Sequence, residues 1–99
     1  MYGTVMRAHV RPENRERFVE LMTRYEDLDV PGYRSAHLMF PENRENEVLM
    51  AVWFEDQASY RKNAEDPTQH ERFLEYRALL EDEPEWSDGE WIEAPSGKE

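Results

Sequence analysis

The segment EVLMAVWF, residues 47–54, limits the possible folds of this chain more than any other stretch. Along a strand, successive side chains point to opposite faces. Val48, Met50, Val52 and Phe54 therefore share one face, and Leu49, Ala51 and Trp53 share the other. A strand in a small antiparallel sheet normally alternates apolar with polar residues, because one face meets the core and the other meets water. This strand is apolar on both faces. It reads as a central strand whose second face needs its own cover.

The flanking sequence supplies the neighbours. Tyr2 to Val10 alternates as a first strand, and Pro12 then ends pairing and suits a first helical turn. From Glu13 the spacing becomes helical, with Phe18, Leu21, Met22, Tyr25 and Leu28 on one stripe and charged residues elsewhere. Asp29-Val-Pro-Gly32 has turn chemistry, Tyr33 to Phe40 reads as a second strand, and Pro41 to Asn46 reads as a polar hairpin loop. After the central strand, a short helix from Glu55 to Ala64 is broken at Asp66-Pro67. Asp66 is placed to cap the next helix, with Pro67 at its first position and Gln69 completing a capping box. That helix puts Phe73, Tyr76 and Leu80 on one face and is predicted to run to about Asp82. Ser87-Asp-Gly89 reads as a turn and Glu90 to Glu93 as a last short strand. Residues 1–93 form one domain on this reading, and 94–99 a flexible tail.

The resulting order, β-α-β-β-α-β, predicts an α+β fold of the ferredoxin-like kind, with two helices packed on one face of a four-stranded antiparallel sheet. Helices on one face leave the other uncovered. The expected cover for Leu49 and Trp53 is a second copy of the sheet, in a two-fold homodimer.

Composition narrows the functional classes. A chain of 99 residues supports one domain, which buries about two-thirds of its unfolded surface. The net charge of −11 opposes binding to nucleic acid or to an anionic membrane surface. With no cysteine, no signal-type segment and no apolar run long enough to span a bilayer, the expected compartment is the cytoplasm. Leu, Ile, Val and Phe are scarce for a folded domain, but five Met, five Tyr and three Trp supply apolar surface at periodic positions.

Three stretches, YGTVMRAHVRPENRERFVELM, VWFEDQASYRKNAEDP and DGEWIE, resemble the antibiotic biosynthesis monooxygenase-like family of the dimeric α+β barrel superfamily, over nearly the whole chain. The resemblance implies a homodimer with facing sheets and a small-molecule pocket between each sheet and its helices. It also implies several possible activities, among them cofactor-free oxygenation of polycyclic phenols and anthrones, haem degradation and isomerisation of signal molecules. The haem-degrading branch carries an Asn, a Trp and a His where this chain has Met6, Asn63 and Phe73, which argues against that activity.

Cofactor-free oxygenation needs a base active near neutrality, neutral hydrogen-bond donors and aromatic walls around an easily oxidised substrate. The candidates are His37 as base, Asn63 as donor, and Tyr25, Tyr33, Trp53 and Tyr60 as walls or donors. Each also has a structural reading. His9 and His37 suit packing positions on strands, His70 the solvated side of its helix, Trp53 a dimer or core anchor, Tyr25 the core and Asn63 a cap or turn. Alternation assigns residues to faces but does not say which face meets the helices. The three histidines lack metal-ligand spacing, and no nucleotide or nucleophile-elbow motif is present, so neither metal nor cofactor is expected. A dimeric binder of a small aromatic molecule and a regulatory dimer remain as alternatives to an enzyme.

Overall fold

The structure, a computed structural model, describes residues 1–26 and 29–94. Leu28 and all of the expected tail except Ala94 lie outside these residues. The chain forms β1 (Tyr2–His9), α1 (Pro12–Glu26), β2 (Tyr33–Met39), β3 (Glu47–Phe54), α2 (Gln57–Ala64), α3 (Pro67–Arg77) and β4 (Glu85–Glu90). The strands make one antiparallel sheet in the order β2-β3-β1-β4, so the doubly apolar β3 is an inner strand as its sequence requires.

Register decides the faces. Met6 pairs with Met50, Ala8 with Val48 and Thr4 with Val52, and these six side chains face the helices. From α1, Phe18 and Leu21 pack onto them with almost no exposure, and Tyr76 of α3 and Leu80 close the same core. Two methionines at its centre provide unbranched, adaptable side chains where bulky aliphatic residues are scarce. No residue of α2 is fully buried, so that helix lies across the edge of the layer.

The break between α2 and α3 follows the expected chemistry. The Asp66 carboxylate accepts from the Thr68 N–H at 2.8 Å, with Pro67 opening the helix. The reciprocal arm of the capping box is absent, because the Gln69 side-chain oxygen accepts from Arg72 at 2.9 Å while the Asp66 N–H donates to the Asn63 carbonyl at 3.1 Å. Gly32, between α1 and β2, has φ +80° and lies so close to Ser59 that a Cβ there would collide with it.

The C-terminal third departs from the sequence expectation. α3 stops at Arg77, and the chain turns alongside the end of β1. Val10 bridges Leu80, and the Glu81 N–H donates to the His9 carbonyl at 2.8 Å. This sets the last strand at Glu85–Glu90, earlier than the expected Glu90–Glu93, and the turn-like Ser87-Asp-Gly89 sits inside it. β1 has main-chain groups to satisfy along that edge, and their demand overrides the weak strand propensity of EWSDGE. The charged, exposed side chains of β4 suit an edge strand. No helix among the described residues is long and apolar enough to cross a membrane.

Candidate active site

The helix-side floor of the sheet has small residues at one end. Thr4, Ala36 and Val52 lie where Met6, Val48 and Met50 would otherwise continue, and the space above them is a cavity of about 770 Å³. Its far end is closed by aromatic rings. Tyr60 lies 5.3 Å from Tyr2 and 5.6 Å from Phe54, and Tyr33 lies 5.8 Å from Phe54. Phe73 and Trp86, with centroids 6.3 Å apart, form another wall where α3 meets β4. The lining is mostly apolar with a few polar groups, the usual composition of a small-molecule site.

Two phenols at the cavity are tied to carboxylates. Tyr60 donates to Asp88 Oδ1 at 2.8 Å, and burial followed by the Asp88 bond pushes its ionisation upward. Tyr25 donates to Glu75 Oε1 at 2.9 Å, with the Arg72 carbonyl at 3.2 Å. Burial and then Glu75 raise it from 10.0 to about 12. Both therefore remain neutral phenols at physiological pH.

Of the residues singled out in the sequence, Tyr25, Tyr33, Tyr60 and Asn63 border the cavity together. Asn63 sits at the C-terminal turn of α2, and its main-chain carbonyl, not its side chain, makes the turn bonds to Glu65 and Asp66. Its amide has no hydrogen-bond partner among the described residues and is available to a ligand. His37 and Trp53 are placed differently. His37 pairs with Ala51, and its ring lies 5.0 Å from the Trp53 indole, tilted by 56°, while the indole itself meets Trp91 edge-on at 5.3 Å. These rings lie on the outer face of the sheet. His37 borders the cavity at a position where the pleat turns its ring away, whereas its neighbours Ala36 and Leu38 face inward. His70, read as solvated, is exposed yet borders the cavity, stacked on Phe73 at 6.3 Å and 28°.

The sequence reading missed Asp88, Trp86 and Glu75. Trp86 and Asp88 were hidden in a segment with turn composition. Their two-residue spacing was the available signal, because it places both on one face once β4 is drawn through them.

At the opposite corner, on the outer face, Arg7 bonds Glu47 at 2.6 Å, and Arg44 approaches the same carboxylate at 3.6 Å. Glu47 is only 5% exposed, and the hydrogen bond from Arg7 holds its carboxyl below the ordinary range. His9 pairs with Asp82 at 3.2 Å nearby. This cluster is structural: it closes the end of the β1–β3 ladder with satisfied charges.

The family model for antibiotic biosynthesis monooxygenase matches residues 1–78. SnoaB, a cofactor-independent oxygenase from Streptomyces nogalater solved as an asparagine-to-alanine mutant, has the same fold, with TM-score 0.76 and 18% identity over 94% of both chains. A conserved protein from Methanosarcina mazei Go1 superposes with TM-score 0.75 and 19% identity over 89% of both chains. At these identities the likeness is one of fold. No curated protein matches the chain.

Proposed function

The chain belongs to the antibiotic biosynthesis monooxygenase family, and on that premise we propose that it is a cofactor-independent monooxygenase acting on an aromatic, phenolic substrate in the cavity between sheet and helices. The observation that carries the reading is the cavity itself. It has about 770 Å³ of space, aromatic walls, and an unengaged Asn63 amide on its rim. SnoaB, similar in fold, is a cofactor-independent oxygenase.

The chemistry asks little of the protein. A phenol-activated methylene loses a proton to give a delocalised carbanion, which passes electrons to dioxygen. One oxygen atom ends in a new carbonyl and the other in water, so that CH₂ and O₂ become C=O and H₂O with no outside reductant. The protein's tasks are to take the first proton, to stabilise the enolate oxygen and to exclude water. Asn63 supplies a neutral donor for the enolate oxygen. For the base, His70 is the histidine on the cavity side, and the placement of the His37 ring against Trp53 supports His70 over His37.

The second half of the proposal concerns the outer face. Leu49, Ala51 and Trp53 are only partly covered within the chain, and Met39, which pairs with Leu49, is 52% exposed. A second copy of the same sheet would bury this surface and give a two-fold dimer.

Metal-free protein supplied with an anthrone or a hydroquinone tests the enzymatic reading. Catalysed oxygen uptake, one O₂ per anthrone converted to quinone, is the expected result. Uptake no faster than in buffer, across a panel of such substrates that bind, would leave a binding protein.

A further inference from the structure

Asp88 is the one carboxylate among the described residues that border the cavity. β4 brings it there: Asp88 pairs with Thr4 as Trp86 pairs with Met6, so both side chains stand on the helix side of the sheet. Elsewhere acidic side chains meet cations, as Glu47 meets Arg7 and Arg44 and as Glu83 meets Arg77. Asp88 has no such partner among the described residues, and the cavity's guanidinium, Arg72, bonds Gln69 on its own helix. The single bond to Asp88 comes from Tyr60, whose O–H meets Oδ1 at 2.8 Å. Burial and that bond hold the phenol proton in place, so Tyr60 fixes the carboxylate as a donor and leaves Oδ2 open to a ligand. Asn63 lies three residues further along α2, on the same helix face as Tyr60 and one turn away.

We infer that Asp88 is a specificity-determining residue: held by Tyr60 at Oδ1, it accepts at Oδ2 the hydrogen bond of an un-ionised hydroxyl on the ligand, and so selects arenes that carry O–H over those whose oxygen is capped by an alkyl group. The inference rests on the cavity being the ligand site, as proposed above. A carboxylate accepts and does not donate, so it favours a donor and gains nothing from a bare ether oxygen. A ligand anion at the same place would set a second negative charge against one that no cation balances. A charge-assisted bond of this kind is shorter and stronger than a neutral one, and its carboxylate is already fixed in rotation by Tyr60. With Asn63 one turn along α2, the acceptor and the amide stand at one end of the cavity, so a ligand that engages both has its orientation set by two points. A bond that merely tied α2 to β4 would need only Oδ1, and an amide oxygen would serve it equally well.

2-Naphthol and 2-methoxynaphthalene, which differ by the donor hydrogen and its methyl cap, are the probes, with binding measured by titration calorimetry. The parent is expected to bind 2-naphthol roughly tenfold tighter than its ether. Asp88→Asn retains an oxygen to accept from Tyr60 and loses the second carboxylate oxygen. It is expected to abolish the preference by weakening 2-naphthol alone, with the melting temperature nearly unchanged. Tyr25→Phe, which removes a hydroxyl bonded to Glu75, is expected to keep the preference. A preference that survives in Asp88→Asn, or equal binding of both probes by the parent, would overturn the inference and leave the cavity as the binding site. A drop of several degrees in the melting temperature of Asp88→Asn would overturn it in favour of a structural tie. Failure of the parent to bind either probe would overturn both the inference and the reading of the cavity.

Discussion

The imidazole of His37 and the indole of Trp53 lie 5.0 Å apart on the face of the sheet that looks away from the cavity. This contact gives the two histidines near the cavity different expected behaviour. His37→Ala should alter tryptophan emission and leave oxygen uptake near the parent rate. His70→Ala should lower uptake by roughly 10²-fold if His70 takes the proton. The opposite pattern would assign the base to His37.

Asn63 separates structure from chemistry cleanly. Its carbonyl makes the turn bonds to Glu65 and Asp66, and alanine keeps that carbonyl. Asn63→Ala should therefore leave the melting temperature nearly unchanged while turnover falls by about 10²-fold or more, as for loss of an oxyanion donor. A stability loss of about 1 kcal/mol with full turnover would reduce the side chain to a cap.

How much of this was legible in the sequence varies along the chain. The inner position of β3 followed from two apolar faces, and the α2–α3 break followed from Asp66-Pro67, because both are local signals with a single physical meaning. The position of β4 was not legible. EWSDGE carries turn residues, and only the bridge from Val10 to Leu80 and the open edge of β1 make it a strand. The same non-local pairing brings Asp88 to Tyr60, so half of that dyad stayed hidden with it. The side of the sheet met by His37 was likewise undetermined, since alternation is symmetric until the helices choose a face. Gly3 is a further example: a Cβ there would strike the Val52 carbonyl across the ladder, a constraint that appears only with the strands paired.

Glu47 should make the fold sensitive to acid. Its folded carboxyl is held low by the bond from Arg7, so the pair's contribution is fully present above the ordinary glutamate range and is lost as pH falls through the depressed value. Thermal unfolding followed from pH 7 down to pH 2 should show a steeper decline in the parent than in a double variant, Arg7→Met with Glu47→Gln. Parallel curves would show that the pair contributes nothing to the acid transition.

Tyr25 has the opposite sign. Its folded phenol ionises at about 12 against an ordinary 10.0, so its share of stability is complete below pH 10 and disappears as the pH rises toward 12. Melting temperatures between pH 9 and pH 12 should fall more steeply in the parent than in Tyr25→Phe, which has no proton to lose. Identical slopes would show that the bond to Glu75 does not persist in solution.

The two-sided apolar character of β3 leads to the prediction with the widest consequence for the molecule. Within one chain, His37 and Trp91 cover part of Trp53, and Leu49 and Ala51 stay partly open. Burying a large side chain is worth about 1.5–3 kcal/mol, and a two-fold interface counts each residue twice, so the face has enough apolar surface to drive association. Leu49→Asp would place a carboxylate at the centre of such an interface and should yield monomer, with the helix-side core intact because Leu49 lies on the other face. Trp53→Ala should weaken the dimer less sharply, since Trp91 and His37 can settle into part of the space. Light scattering at micromolar concentration, with circular dichroism to confirm folding, reads both. A parent chain that scatters as a folded monomer of 11.9 kDa would show that the outer face needs no second copy.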